Sequence, residues 1–282
     1  MSSIAQTTTL VAPRRDRPAR AQALRTLAGR RFALTARTPR ELVVPLLTPV
    51  LFALVIAPAL KTALHTSASY ESYVAIGTIG LLVPLNTFFL GLGVIVDRES
   101  GAQRELLAAP VPRALLVLGN LVVALAITSL QIATLIGFAV ARRIHFAVHG
   151  AGVLWFLAAA VLLTVAMYGA AETLASRIPR QEEYVARIPA IAIAPWFLAG
   201  SLFPITAMPV VLTWIARFLP LTHALALMRY GLVGGRATGL EAIWGTGHEQ
   251  AILAAASLAV MAGSTALLFA VATRVFRRSA LP

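Results

Sequence analysis

Residues 74–96 read VAIGTIGLLVPLNTFFLGLGVIV, and residues 97–113, directly after them, read DRESGAQRELLAAPVPR. The first stretch carries no charge over 23 residues, which as a helix rising 1.5 Å per residue covers about 34 Å. A bilayer core is about 30 Å thick, so this stretch is long enough to cross it. The second stretch holds six charged residues in 17. An apolar run of membrane length that stops abruptly at a charged segment predicts a transmembrane helix emerging into water.

The pattern repeats along the chain. Hydrophobic residues make up 59% of the 282 and charged residues 12%, whereas a soluble domain averages roughly 45–50% and 25%. Further spans are predicted at Val43 to Ala63, Ala114 to Ala141, Val153 to Ser176, Ile188 to Phe203 and Ala251 to Thr273, each close to the required length. Pro45, Pro49 and Pro58 predict a kink in the first, because proline is tolerated in a membrane helix where neighbours satisfy the freed carbonyl. Val210 to Val233 is also long enough, but it holds Arg217, Pro220, His223 and Arg229. Each arginine at mid-membrane costs on the order of 2.5–3.5 kcal/mol, so the segment reads as two half-helices dipping in from one side and broken at Pro220.

Before the first span, Leu24, Leu27, Ala28, Arg31, Phe32 and Leu34 recur at helical spacing among arginines, the pattern of an amphipathic helix on a membrane surface. The expected organisation is a disordered Arg-rich tail over 1–18, an interfacial helix over 19–40 and a transmembrane domain over 41–282. The fold class is all-α: six transmembrane helices, the N-terminal amphipathic helix, and a re-entrant hairpin over 204–233 between the fifth and sixth.

Charge placement orients the chain. With six spans and both ends on one side, that side collects 18 basic residues and the other six: Lys61, Arg142, Arg143, Arg217, Arg229 and Arg236. Basic residues concentrate on the cytoplasmic side, so both termini are expected there. The preference for arginine over lysine points to a prokaryotic inner membrane. Net charge is +13, but the basic arm lacks interleaved aromatics. It suits anionic headgroups rather than nucleic acid. A polar stretch of some 40 residues before the first span is unlike a cleavable signal. The chain has no cysteine, which removes disulfides, thiolate metal sites and thiol nucleophiles together.

The sequence contains no phosphate-cradling G-x-x-x-x-G-K-[ST], no H-E-x-x-H and no G-x-S-x-G, so no catalytic residue is assigned and the chain does not read as an enzyme. His145 and His149 have the spacing of a metal pair, but nothing nearby completes a ligand set. Asn86, Gln131 and Glu172 are the polar candidates within spans. Glu172 is expected to pair with Arg177, one turn away, and Asn86 and Gln131 to act as interhelical glue. In the charged loop, Ser100 and Gln103 can form a capping box that starts a short rod ended by Pro110, with Leu106 and Leu107 on one side. Arg98, Glu99, Arg104 and Glu105 surround it. Such a rod suits docking into a partner's groove.

The loop Asp97 to Arg113 resembles the first cytoplasmic loop of type-2 ATP-binding-cassette (ABC) export permeases, in the branch with the daunorubicin-resistance and nodulation-factor exporters. Trp196 to Tyr230, WFLAGSLFPITAMPVVLTWIARFLPLTHALALMRY, is similar to that family's fifth span and re-entrant hairpin, with Phe203, Pro204, Trp214 and Pro220 at matching offsets. The resemblance implies that Asp97, Arg98, Glu99, Gly101, Arg104, Glu105, Leu106, Leu107 and Pro110 couple the chain to a separate cytoplasmic ABC ATPase. Arg30, Arg31 and Phe32, on the surface helix, would touch it too. Two permease subunits, identical or related, would pair with two ATPase copies, and ATP and Mg²⁺ would belong to the ATPase, leaving this chain without a cofactor of its own. The path between permeases would be lined by Phe52, Asn86, Phe88, Phe89, Trp196 and Phe197, and would carry a hydrophobic drug, lipid or glycolipid outward. A gradient-driven secondary transporter or channel is the alternative. The long Arg-rich start departs from the family pattern.

Overall fold

The computed structural model describes residues 20–37, six isolated positions between 43 and 59, and residues 69–279 apart from 110, 149 and 235–237. Apart from those six positions, the predicted first span, with Phe52, lies outside the described residues, as do Pro110, His149 and the tail over 1–18. In chain order the helices are α1 (Arg20–Ala36), α2 (Ser69–Glu99), α3 (Ala102–Ala108), α4 (Arg113–Ala141), α5 (Gly152–Arg177), α6 (Gln181–Leu198), α7 (Val210–Phe218), α8 (Pro220–Leu232), α9 (Leu240–Trp244) and α10 (Gln250–Ser279). No strand occurs among the described residues.

Four of these, α2, α4, α5 and α10, are long and apolar enough to cross a membrane, and α7 with α8 makes a fifth if the bent pair counts as one span. The two halves meet at 79°. Pro220 starts α8 at its first turn, where a missing N–H and a fixed φ suit a helix start, so the break falls where the sequence placed it.

α5 is the centre of the bundle, packing against α10, α8 and α2. Its inward face is built from Ala159, Ala160, Ala166, Ala171 and Ala175, all buried, and small residues let helix backbones approach closely. At Gly152 the approach is extreme: a Cβ there would lie 2.2 Å from the carbonyl oxygen of Gly231 on α8. α2 is the most enclosed of the long helices, with 83% of its apolar stretch buried against 28% for α10. Leu130, Leu154, Leu267 and Phe218 face outward, a surface that lipid solvates and water does not.

Three expectations change. The predicted fifth span is instead α6, which starts at Gln181, inside the predicted loop over Arg177 to Arg187, and ends at Leu198, short of Phe203. Glu182, Glu183 and Arg187 occupy its first two turns, so its apolar part, Ile188 to Leu198, covers only about 16 Å. The connection from α5 shrinks to residues 178–180. The capping box is absent: Gly101, at φ 80°, precedes α3 with no side-chain cap, and Ser100 Oγ donates instead to the Asp97 carbonyl at 3.3 Å. That left-handed turn, open to glycine without penalty, lets the chain reverse from α2 into α3. Finally, Glu172 accepts a hydrogen bond from Tyr168 Oη at 2.6 Å, not from Arg177.

Candidate functional site

The charged triplet closing α2 is distributed among three other helices. Successive helical residues point about 100° apart, so three consecutive charges fan outward rather than share a face. Asp97 accepts from Arg30 on α1 at 3.0 Å, and Arg31 Nη1 stands 3.7 Å from its other oxygen. Arg98 donates to the carbonyls of Ala175 (3.2 Å), Ile178 and Pro179 at the end of α5. Those carbonyls have no partner within the helix, and a cation there also meets the negative end of the dipole. Glu99 accepts the backbone N–H of Gln181 at the start of α6, at 3.3 Å.

α1 lies on the bundle through a stripe four residues apart. Ala23, Arg31 and Thr35 are buried, and Leu27 rests on Gly119 of α4, where a Cβ would sit 3.0 Å from Leu27 Cβ. Arg31, 8% exposed, reaches under α2, where Nη2 donates to the Leu90 carbonyl at 2.7 Å. Gly93 leaves it that space, since a Cβ there would fall 1.5 Å from the same nitrogen. Phe32 points away, 54% exposed.

α3 crosses the same end. Leu106 and Leu107 pack against the buried cluster that includes Leu116 and Val117 of α4, as do Leu27 and Ala28 of α1, while Arg104 and Glu105 are exposed. Beneath α3 and α1 runs a cleft of about 260 Å³ lined by Arg30, Arg31, Leu34, Val96, Ser100 and Ala102. The result is a short rod with its apolar side toward the bundle and its charged side free, beside the Arg30, Arg31 and Asp97 cluster that joins α1 to α2.

The remaining expected site residues scatter. Phe88 and Trp196 are buried core residues, and Trp196 Nε1 donates to the Gly77 carbonyl at 2.7 Å. Asn86 joins α2 to α4 by donating to Thr128 Oγ1, the interhelical glue expected of it. Phe89 is half-buried, whereas Phe197 is 49% exposed. Phe203 and Pro204 are exposed in the turn after α6, and Trp214 on α7 is exposed with the Arg217 guanidinium 5.1 Å from its ring. Pro220 is half-buried at the bend.

Sequence reasoning missed Tyr184, whose hydroxyl donates to the Phe88 carbonyl at 2.9 Å and ties α6 to α2. A tyrosine next to Glu182 and Glu183 gives no sign in the sequence that it points inward. Gly93 was equally silent, as one of several glycines in an apolar run.

The sequence model of the ABC-2 type transporter family matches residues 22–233, three quarters of the chain. The chain belongs to this family. No curated protein matches it. The matched region runs from the second residue after the start of α1 to the end of α8, and so contains both the triplet with its rod and the bent pair. As an ABC-2 permease domain, the chain is a multi-pass membrane component of an ABC transporter, associated with an ABC ATPase.

Proposed function

We propose that the chain is the permease subunit of an ATP-driven exporter, and that a separate nucleotide-binding subunit grips it at α3 and α1 on the cytoplasmic face. The observation that carries this reading is the two-sided character of α3: Leu106 and Leu107 face the bundle and Arg104 and Glu105 face out. A subunit lacking a nucleotide cradle is driven only by what ATP does to a partner's preference between its conformations. α3 is where that preference enters, α1 and Asp97 pass it to α2, and Arg98 passes it to α5.

In the membrane we read six spans, with α6 as a short fifth span, α7–α8 as a re-entrant hairpin on the external side, and both termini in the cytoplasm of a prokaryotic cell. Two permeases, identical or related, work with two ATPase copies, which hold the ATP and Mg²⁺. The cargo is hydrophobic or amphiphilic, a drug, lipid or glycolipid, in keeping with the daunorubicin-resistance and nodulation-factor branch. Of the residues assigned to a substrate path, Phe89 and Phe197 retain accessible surface.

The test is co-purification of the chain with its cognate ATPase from a membrane expressing both. Glu105→Lys is expected to abolish recovery of the ATPase while the permease stays folded. Full recovery with Glu105→Lys and with Arg104→Glu would sink the proposal. A second reading rests on Glu172, which is completely buried in α5 with Oε1 unpartnered among the described residues, a place where a proton could be handled. Transport collapsed by a protonophore and indifferent to vanadate would select that gradient-driven reading.

A further inference from the structure

At the end of α2 opposite the triplet, about 36 Å from Asp97 by helical rise, a second arginine is buried. Arg229 on α8 is 2% exposed. Its Nη2 donates to the carbonyls of Tyr73 (3.4 Å), Gly200 (3.0 Å) and Ser201 (3.1 Å), and its guanidinium carbon lies 3.4 Å from the centroid of the Tyr73 ring. Among the described residues it forms no ion pair with a carboxylate. Buried charges are ordinarily paired or fully hydrogen-bonded, and among the described residues this one is neither, because Nε–H meets no acceptor there.

A second such group is on the same helix. Thr222 Oγ1 is buried with no hydrogen-bond partner among the described residues, and Thr222 is 3% exposed. Thr222, Ala226 and Arg229 are spaced i, i+4, i+7, which puts them on one stripe of α8. All three line a half-open cavity of about 20 Å³ whose other walls include Pro204, Gly239 and Ile243. That volume admits one water-sized group, since a site needs roughly 10–15 Å³ for this. Ala226 keeps it open. The amide oxygen of Asn86, buried and without an acceptor role among the described residues, is not part of this cavity's lining.

We propose that this cavity receives an oxyanion: one oxygen of a phosphate or carboxylate enters between Thr222 and Arg229, the rest of the molecule remaining outside. Arg229 Nε–H and the Thr222 hydroxyl both donate to it, and its negative charge neutralises the guanidinium where carbonyl dipoles alone do not. The source is either the headgroup of an anionic amphiphile or a free anion. The amphiphile follows from the permease reading above, which places this end of α2 at the external membrane surface, and in that case the cavity narrows the cargo class to anionic amphiphiles or makes the site one for anionic lipid.

The test is thermal unfolding of the purified chain in dodecyl maltoside, titrated separately with dodecyl phosphate and with inorganic phosphate. Wild type is expected to gain stability saturably with dodecyl phosphate. Thr222→Val removes a hydroxyl donor to a charged acceptor and should need roughly tenfold more ligand for the same gain, while Thr222→Ser should titrate as wild type. A response to dodecyl phosphate alone assigns an amphiphile, and an equal response to inorganic phosphate assigns a free anion, both upholding an oxyanion site. No saturable gain with either ligand, or superimposable curves for wild type and Thr222→Val, overturns it. Should Thr222→Val not fold, Ala226→Val, which narrows the cavity and leaves both donors, must also weaken the response. None of these titrations involves the ATPase. Full ATPase recovery with Glu105→Lys and with Arg104→Glu, alongside an intact ligand response, would break only the permease reading, and ATPase release by those variants without any saturable ligand response would break only this one.

Discussion

Two arginines are buried at opposite ends of α2, and the protein treats them differently. Arg31 sits beside Asp97 and under the Leu90 carbonyl, so its charge is answered within the chain. Among the described residues, Arg229 is answered only by three carbonyls and the face of Tyr73. A guanidinium with an internal counter-charge locks two helices together and has nothing left to offer. One held by dipoles is positioned yet incompletely neutralised, which is the condition for recognising something else. The division matches the two proposals: on the permease reading the locked arginine lies at the face the ATPase would grip, and the unneutralised one at the proposed oxyanion site.

The contrast is broken most forcefully at Asp97. Asp97→Asn leaves two guanidiniums facing a neutral amide. Removing one partner of a buried pair costs about 3–5 kcal/mol, and partial exposure of Arg30, whose side chain is 35% accessible, brings the expectation to about 3 kcal/mol, read as a fall in thermal stability in detergent. Unchanged stability would mean that α1 is held by packing alone. Gly77→Ala attacks the other end, because its Cβ would lie 2.0 Å from the Ser201 carbonyl oxygen, one of the acceptors of Arg229. Overpacking against backbone is expected to cost about 2 kcal/mol by the same measurement, and a neutral outcome would show that the turn after α6 shifts freely. Tyr73→Phe sharpens the comparison: the ring remains under Arg229 while the hydroxyl bond to the Gly200 carbonyl, 2.7 Å long, is lost. About 1 kcal/mol should go, and a loss several times larger would place the hydroxyl among the groups that support the charge. Smallest in stability is Glu105→Lys, expected within about 0.5 kcal/mol of wild type because the residue is exposed, although it is the change expected to release the ATPase.

Hydropathy and charge made the long helices legible. α2, α4, α5 and α10 fall within a few residues of their predicted bounds, and the break before Pro220 was written in the proline and in the arginines on either side of it. α6 was misplaced because Glu182, Glu183 and Arg187 look like loop residues when only solubility is weighed, whereas on a helix entering the bundle they occupy an outer face and let Tyr184 turn inward. The triplet Asp97, Arg98 and Glu99 was recognised as important, but its division among three helices depends on which neighbours stand around the end of α2, and that is a property of packing. Glu172 was legible by spacing: Tyr168 lies a full turn back at i−4, on the same face, whereas Arg177 at i+5 stands off that face.

Gly152 and Gly231 give α5 and α8 a crossing at which main chain touches main chain, each glycine's absent Cβ leaving room for the other's carbonyl oxygen at 2.2 and 2.3 Å from where that atom would be. The far end of α5, 26 residues and about 39 Å away, is clasped by Arg98. α5 is thus held by main-chain contacts at both ends, by Arg98 at one and by α8, the helix carrying Thr222, Ala226 and Arg229, at the other.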